Sequence, residues 1–193
     1  MPRNRDKALS ALSIPVEAYD PALAAERIRS QRADLGWPRW PIGCVPVYDS
    51  REQKPYTFPG AIKSGLRTGD YSVVGLDNDT GITVERKTVT DAWSSIGSGR
   101  GQAFARRRKR FRAEWERMGA MKFAAVVIEG NLEELTVQPE RSQVDPSKVI
   151  CTYISWSLRY GVGVWFCSNR ALAQRMTGRL LVGAWELWRG GEL

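Results

Sequence analysis

Apolar and polar residues follow two patterns along this chain, one typical of short strands and one typical of amphipathic helices. Short apolar runs between turn residues predict strands at residues 44–49, 70–74, 83–87, 122–128 and 162–167. Apolar positions at helical spacing predict helices at residues 22–35, 58–66, 90–96, 102–118, from 146 onward, and from 169 to about 188. The alternation predicts an α/β fold, a mixed sheet flanked by helices on both faces.

Three of these helices show a buried stripe, and their ends carry stop or cap signals. Gly119 ends the first of them, Asp145 and Pro146 start the second, and Asn169 caps the third. Residues 132–141 give little signal. Trp37 and Trp40 are interpreted as packing residues in preference to base-stacking ones, because large aromatics mostly serve burial. The three predicted stripes are Phe104, Phe111, Trp115 and Met118; Val149, Ile150, Tyr153, Ile154 and Leu158; and Leu172, Met176, Leu180 and Trp185.

The turn-rich run at residues 75–80 joins two of the predicted strands into a hairpin. Symmetric closure of that hairpin places Asp70 opposite Glu85, and opposed side chains share one face of a sheet. Lys87 returns to the same face by strand alternation. Two carboxylates so close repel each other unless a cation lies between them, and Mg²⁺ takes one or two carboxylates and completes its shell with water. The hairpin therefore predicts a divalent-metal site beside an ammonium group, which suits attack of water on phosphorus.

Composition narrows the classes of protein further. The 193 residues are 42% hydrophobic, which predicts one main domain at residues 44–193 after an N-terminal extension at 1–43, a basic arm plus a helix. The net charge of +8 favours a polyanionic partner, either nucleic acid or an anionic membrane surface. The absence of histidine excludes histidine-dependent triads and zinc–histidine sites.

The three cysteines, Cys44, Cys151 and Cys167, are odd in number and lack metal-ligand spacing, so they are interpreted as reduced core residues of an intracellular protein. No apolar run reaches the roughly 18 residues of a membrane span. The expected location is cytoplasmic, with no membrane partner and no secretion.

A run of positive charge follows a glycine-rich loop at residues 97–101 that contains Arg100. Repeated like charge destabilises a helix, and an anionic partner relieves it. A solvated helix face is the usual explanation for such a run, but this run directly follows the candidate active-site loop, which favours contact with the DNA backbone. The predicted DNA-binding residues are Arg100, Arg106, Arg107, Arg108, Lys109, Arg110 and Arg112.

The order of these motifs resembles that of the XPF-type structure-specific DNA endonucleases, a branch of the restriction-endonuclease-like PD-(D/E)xK superfamily. The matching segments are Asp49-Ser50-Arg51-Glu52, Gly69-Asp70, Glu85-Arg86-Lys87 and Asp91. The resemblance covers about residues 45–188 and implies a restriction-endonuclease-like fold. This sequence departs from the family's pattern just beyond Arg100, where it has Gln102 and Phe104 and the family tends to have a tyrosine and a glutamine.

The resemblance also implies roles for individual residues. Asp49, Asp70, Glu85 and Lys87 would be catalytic, and the first three of these would hold the metal. Arg51, Glu52, Arg86 and Asp91 would support the site, although strand alternation points Arg86 to the opposite face of the sheet. Glu129, at the end of a predicted strand, either joins the edge of the acidic site or lies on the surface.

The predicted function is a Mg²⁺- or Mn²⁺-dependent endodeoxyribonuclease that hydrolyses phosphodiester bonds at branched or otherwise structured DNA, in repair or recombination. The alternative is a non-catalytic DNA-binding member of the same family that acts as a partner subunit. A third hypothesis is a basic protein that binds RNA or another protein. The tandem helix-hairpin-helix domain that pairs family subunits does not fit within this chain, so a homodimer and a pairing with another subunit both stay open.

Overall fold

The computed structural model describes residues 36–96, 102–140, 142 and 144–193. These residues belong to a compact unit that begins at Leu35. The predicted basic arm, the predicted helix at residues 22–35, the loop with Arg100 and the Phe104 side chain lie outside what is described. No described helix is both long and apolar enough to cross a lipid bilayer.

Six strands form one mixed sheet in the order β2-β1-β3-β4-β5-β6. β1 runs parallel to β2 and antiparallel to β3, β3 runs antiparallel to β4, and β4, β5 and β6 are parallel. This arrangement confirms the predicted mixed sheet. The strands are β1 (Pro46–Asp49), β2 (Ile62–Ser64), β3 (Tyr71–Val73), β4 (Ile82–Thr88), β5 (Phe123–Glu129) and β6 (Gly163–Cys167).

Helices cover both faces of the sheet, as the alternating pattern predicts. One buried cluster packs α5 against β3, β4 and β5, and a second cluster packs α1, α2 and α4 against the other face. The described helices are α1 (Val89–Ile96), α2 (Gln102–Met118), α3 (Leu132–Thr136), α4 (Pro146–Tyr160) and α5 (Arg170–Gly190).

Helix α2 is held to the sheet by its predicted apolar stripe, of which Phe111, Trp115 and Met118 are buried. The Trp115 ring lies 5.9 Å from the Tyr153 ring and 5.7 Å from the Trp156 ring, centroid to centroid, and both partners belong to α4. Aromatic side chains contribute large buried areas and geometrically specific contacts. This packing fixes which side of α2 faces the end of β4.

The predicted helix at residues 58–66 is wrong. The segment turns at Pro59 and Gly60 and then forms β2, which pairs in parallel with β1. Gly60 has a φ of +69°, which a right-handed helix does not use. The short α3 was not predicted, although Asn131 and Glu134 form a capping box at its start.

The buried stripe predicted for α4 is correct only in part. Val149 and Tyr153 are buried, whereas Ile154 is 54% exposed and Leu158 is 80% exposed. The helix packs through its aromatic side toward α2, and Ile154 and Leu158 lie on the opposite side of the helix. Cys151 is likewise exposed, so the interpretation of the cysteines as core residues holds for Cys44 and Cys167 and is wrong for Cys151.

Candidate functional site

The site is built around the single Cα pair of the β3–β4 ladder, Tyr71 with Val84, which has the register predicted from the turn. That register places Asp70 next to Glu85 on the neighbouring strand. The Asp70 backbone N–H also donates to the Val84 carbonyl at 3.0 Å. Asp70 and Glu85 both line one open cavity of about 930 Å³.

Gly69 allows the chain to enter β3 at this point. Its φ is +75°, and a Cβ built there would lie 1.9 Å from Thr83 Oγ1 and 3.3 Å from the Val84 carbonyl oxygen. Only glycine adopts this φ at no steric cost and leaves room for the neighbouring strand. The glycine of the Gly69-Asp70 motif is therefore required by geometry.

We expect Gly69→Ala to lower the free energy of unfolding by about 1–3 kcal/mol more than Gly75→Ala does. Gly75 is a matched control because its φ is +82° but nothing lies within 4 Å of a Cβ there. The difference between the two variants isolates the clash with β4 from the cost of the backbone conformation. Urea unfolding of both variants measures it, and equal destabilisation would show that Thr83 moves aside freely.

The Lys87 Nζ donates to Glu85 Oε1 at 2.7 Å, and each residue is only 7% exposed. Burial alone would lower the pKa of Lys87, but the charges of Glu85 and of Glu114 raise it well above its usual range. The lysine is therefore held as an ammonium group at neutral pH. Its Nζ also lies 5.2 Å from the centroid of the Phe111 ring, which fixes it from the side of α2.

Burial, and then the charge of Glu85, raises the pKa of the Asp70 carboxyl well above its usual range. The backbone N–H of Arg86 donates to Asp70 Oδ2 at 2.8 Å and opposes that shift. Two acidic groups that repel each other in a buried position are stabilised by a cation between them.

The sequence predictions missed Glu114, which lines the same cavity from α2. Burial, and then the charge of Glu85, raises the pKa of the Glu114 carboxyl to about 7. Glu114 directly precedes Trp115 and lies one helical turn after Phe111. An acidic residue beside the buried stripe, within a run of arginines, is the signal that could have identified it.

Asp49 is buried at the end of β1 with both carboxylate oxygens occupied. Arg51 donates to Oδ1 from its backbone N–H at 2.6 Å and from Nε at 2.9 Å, while Arg51 Nη2 and the Leu66 N–H reach Oδ2 at 2.8 and 2.9 Å. Burial would raise the pKa of Asp49, but these hydrogen bonds lower it below its usual value. Asp49 therefore fixes Arg51 and the end of β1, and its role as a metal ligand stays a prediction.

The Arg86 side chain lies on the face of the sheet opposite Glu85 and Lys87, as strand alternation predicts. It donates to Glu129 from Nε at 2.7 Å and from Nη2 at 3.1 Å, and its Nη1 lies 3.5 Å from Glu52. Of the two interpretations of Glu129, the structure places it in this ion-pair network and not among the residues that line the cavity.

Asp91 lies at the start of α1, on the rim of the cavity. Its Oδ2 accepts a hydrogen bond from Thr88 Oγ1 at 2.7 Å, and its backbone N–H donates to that same hydroxyl at 3.1 Å. This reciprocal pairing sets the junction between β4 and α1.

Only part of the predicted DNA-binding run faces the cavity. Arg107 and Arg110 line it together with Arg117, which recurs on the same side of α2. Three further basic side chains that line the cavity, Arg51, Lys54 and Arg67, lie outside α2, and the DNA-binding prediction did not include them. Four predicted residues, Arg106, Arg108, Lys109 and Arg112, are exposed on α2 without lining the cavity.

The donor chemistry fits a hard divalent ion, because carboxylate oxygens are the ligands that Mg²⁺ and Mn²⁺ prefer. Within the described ranges, no group of three or more acidic or cysteine side chains is already gathered in the geometry of a metal cage. A divalent ion would therefore be held by the carboxylates of Asp70 and Glu85, with water in its other coordination positions. This arrangement is usual for Mg²⁺.

The mixed six-stranded sheet and its flanking helices form a nuclease-like α/β fold. The chain belongs to the ERCC4 domain family, whose model matches residues 49–180. No curated protein sequence matches the chain significantly.

Two similar solved structures have the same kind of fold. XPF from Aeropyrum pernix has a TM-score of 0.51 at 20% sequence identity, and the match covers 71% of this chain and 59% of that one. The structure described as XPF from Aeropyrum pernix in complex with DNA has a TM-score of 0.50, also at 20% identity, and the match covers 76% of this chain and 66% of that one. The matches thus span about three fifths to two thirds of those archaeal chains.

Proposed function

We propose that this protein is a metal-dependent DNA endonuclease that hydrolyses phosphodiester bonds in branched or otherwise structured DNA. The observation that carries the proposal is the common cavity of Asp70 and Glu85, with Lys87 bonded to Glu85 and arginines on the rim. Membership of the ERCC4 family, whose nucleases generally use a divalent metal, supports the same conclusion.

Asp70 and Glu85 are the proposed holders of one Mg²⁺ or Mn²⁺ ion, with Asp49 nearby. When bound, the ion supplies Lewis-acid polarisation of a phosphate oxygen and lowers the pKa of a bound water. The Arg86 backbone N–H keeps Asp70 oriented through its hydrogen bond to Oδ2. The buried setting strengthens each of these electrostatic interactions relative to water.

Lys87 is the proposed stabiliser of the charge that develops on the phosphorus oxygens. The raised pKa keeps its ammonium protonated, which favours this role over that of a general base. A water oxygen attacks phosphorus in line, the bond from phosphorus to the 3′ oxygen breaks, and a proton ends on that oxygen. The products carry a 5′ phosphate and a 3′ hydroxyl, as in the XPF-type enzymes that the motifs resemble.

The proposed DNA path crosses the cavity along the arginine side of α2 and past Arg51, Lys54 and Arg67, which also line it. Arg107 and Arg110 are exposed on the helix side and can bind phosphates without disturbing the buried stripe. Contacts of this kind give affinity that depends on salt more than on sequence.

We expect the double variant Arg107→Gln/Arg110→Gln to weaken DNA binding at moderate salt and to reduce the slope of log affinity against log salt by about 1 per lost phosphate contact. The matched control is Arg108→Gln/Lys109→Gln, which removes the same charge from positions of α2 that do not line the cavity. Fluorescence anisotropy at several salt concentrations measures both slopes. Equal losses in the two variants would show that only the total charge of the helix matters.

The test of the proposed function is cleavage by the purified protein of flap, fork, junction, linear and single-stranded DNA, with Mg²⁺, Mn²⁺ or Ca²⁺ or with EDTA. We expect cutting with Mg²⁺ or Mn²⁺ on structured substrates and none with EDTA. DNA binding without cleavage under every condition would overturn the proposal in favour of a non-catalytic partner subunit. Preferential binding to RNA would indicate the third hypothesis, a basic protein that binds RNA.

A further inference from the structure

Glu129 joins three separate parts of the chain, although it does not line the cavity. It ends β5 and accepts two hydrogen bonds from Arg86, one from Arg170 Nη1 at 2.9 Å and one from the Tyr56 hydroxyl at 2.8 Å. Arg170 begins α5 and also donates to the Lys54 carbonyl at 2.6 Å. The loop before β2, the strand β4 and the helix α5 therefore meet at one carboxylate.

This network is buried, because the Glu129 and Arg86 side chains are only 11% and 12% exposed. Burying an ion pair gains little stability over an apolar pair of similar size, since both charges lose their hydration. What a fully bonded buried pair supplies in some proteins is a fixed geometry. The network around Glu129 therefore fixes the positions of the groups that are bonded to it.

One route from Glu129 leads to Asp70 through the backbone of β4. The Arg86 side chain is held by Glu129 on one face of the sheet, while the Arg86 N–H donates to Asp70 Oδ2 at 2.8 Å. The Asp70 backbone is held on both sides, because its N–H donates to the Val84 carbonyl at 3.0 Å and its carbonyl accepts from the Asp49 N–H at 2.8 Å. What the Arg86 N–H adds is the orientation of the Asp70 carboxylate. Rotation of β4 at Arg86 would withdraw this N–H from the Asp70 carboxylate.

A second route leads to the same carboxylate through two tyrosines. The Tyr56 hydroxyl donates to Glu129, and the Tyr56 backbone N–H donates to the Tyr71 hydroxyl at 2.8 Å. The two rings are stacked with their centroids 5.0 Å apart. Tyr71 directly follows Asp70, so both routes from Glu129 end at the same residue.

We propose that Glu129 is a positioning residue that orients the Asp70 carboxylate for divalent-ion binding from the far face of the sheet. This inference rests on the proposed function of the cavity. Residues that orient metal ligands typically change metal affinity or activity by about 10–100-fold when they are replaced. Glu129 would act through Arg86 and through the tyrosine pair without touching the ion or the DNA.

The test is Glu129→Gln, which keeps the shape of the side chain and removes its charge. We expect Mn²⁺ binding, measured by calorimetry on the DNA-free protein, to weaken about 10–100-fold. The kcat of cleavage should fall with it, while the affinity for DNA in Ca²⁺ and the KM for DNA stay close to those of the wild type. Glu133→Gln is the matched control, because it makes the same change on an exposed residue of the neighbouring helix α3.

A second control separates positioning from a loss of stability. Leu181→Ala lowers the unfolding temperature by removing a buried side chain of α5 that has no part in the network. If Glu129→Gln does not fold, Tyr56→Phe removes only the hydroxyl donor to Glu129, and a smaller loss of Mn²⁺ affinity is expected.

Weakened Mn²⁺ binding in Glu129→Gln or Tyr56→Phe, with normal binding in Leu181→Ala, supports the proposal. Wild-type Mn²⁺ affinity in a folded Glu129→Gln, or a loss no larger than that in Leu181→Ala, overturns it. A wild-type protein that binds no Mn²⁺ and cuts no DNA overturns the proposed function, and this inference fails with it. Metal-dependent cleavage in the wild type together with an unaffected Glu129→Gln rejects the inference alone.

Discussion

The substitution Asp70→Asn is expected to lower the rate of Mg²⁺-dependent DNA cleavage by at least about 10³-fold, because a metal-held charge contributes several kcal/mol to the transition state and each 1.36 kcal/mol is a factor of ten. Asparagine keeps an oxygen that can accept the Arg86 N–H, so the local backbone is preserved. DNA affinity should change little, because the proposed phosphate contacts are made by the basic side chains that line the cavity. Single-turnover cleavage and anisotropy measure the two quantities.

The unfolding temperature of Asp70→Asn, measured with and without Mn²⁺, tests the role of this carboxylate without relying on cleavage. Removing one of two repelling buried carboxylates should leave the metal-free unfolding temperature unchanged or higher than that of the wild type, since Asp70 is destabilised by burial and by Glu85. The rise in unfolding temperature that Mn²⁺ gives the wild type should disappear. Asp77→Asn, in the exposed turn between β3 and β4, is the control. Retained cleavage in Asp70→Asn would remove this carboxylate from the mechanism.

The second large effect is expected for Lys87→Met, which replaces the ammonium group with an apolar chain of similar length. We expect kcat to fall by about 10²–10³-fold, the usual loss when a charge-stabilising donor is removed from a buried site. KM for DNA should stay nearly constant, since the proposed DNA affinity comes from the arginines that line the cavity. Lys87 acts only on the charge that develops at the scissile phosphate in the transition state. Rapid-quench kinetics with saturating metal separate kcat from KM.

Metal affinity distinguishes this variant from Asp70→Asn. The Lys87 ammonium occupies Glu85 Oε1 and repels a cation, so its removal should leave Mn²⁺ binding unchanged or tighter. Lys63→Met on the exposed strand β2 is the control for losing a lysine. If Lys87→Met cleaves normally, or loses cleavage only because Mn²⁺ no longer binds, Lys87 does not stabilise the transition state.

Rules that depend only on residues close together in the sequence were sufficient to predict a large part of the fold. Turn chemistry and strand alternation predicted the register that pairs Tyr71 with Val84, and the same rules placed Arg86 on the face away from Lys87. The caps at Asp145 and Asn169 were also predicted, because a cap depends on residues within one turn of the helix start.

Predictions failed where a partner far away in sequence decides the outcome. Within the segment at residues 58–66, Ile62–Ser64 forms a strand because β1 offers it a parallel edge, and the composition of the segment does not indicate this. Ile154 and Leu158 fit a buried stripe by spacing, but α4 turns its aromatic side toward α2. Exposure of this kind depends on helix packing, which periodicity alone does not specify.

The sequence by itself determined that one end of the β3–β4 hairpin carries two acids and a lysine, because side-chain direction in a strand follows from alternation and turn length. Only the tertiary structure decided that Glu114 of α2 meets Glu85, that Asp49 accepts the Leu66 N–H, and that Glu129 holds Arg86. These contacts depend on which elements pack together, since they are made by side chains whose backbones are brought close only by the packed sheet and helices.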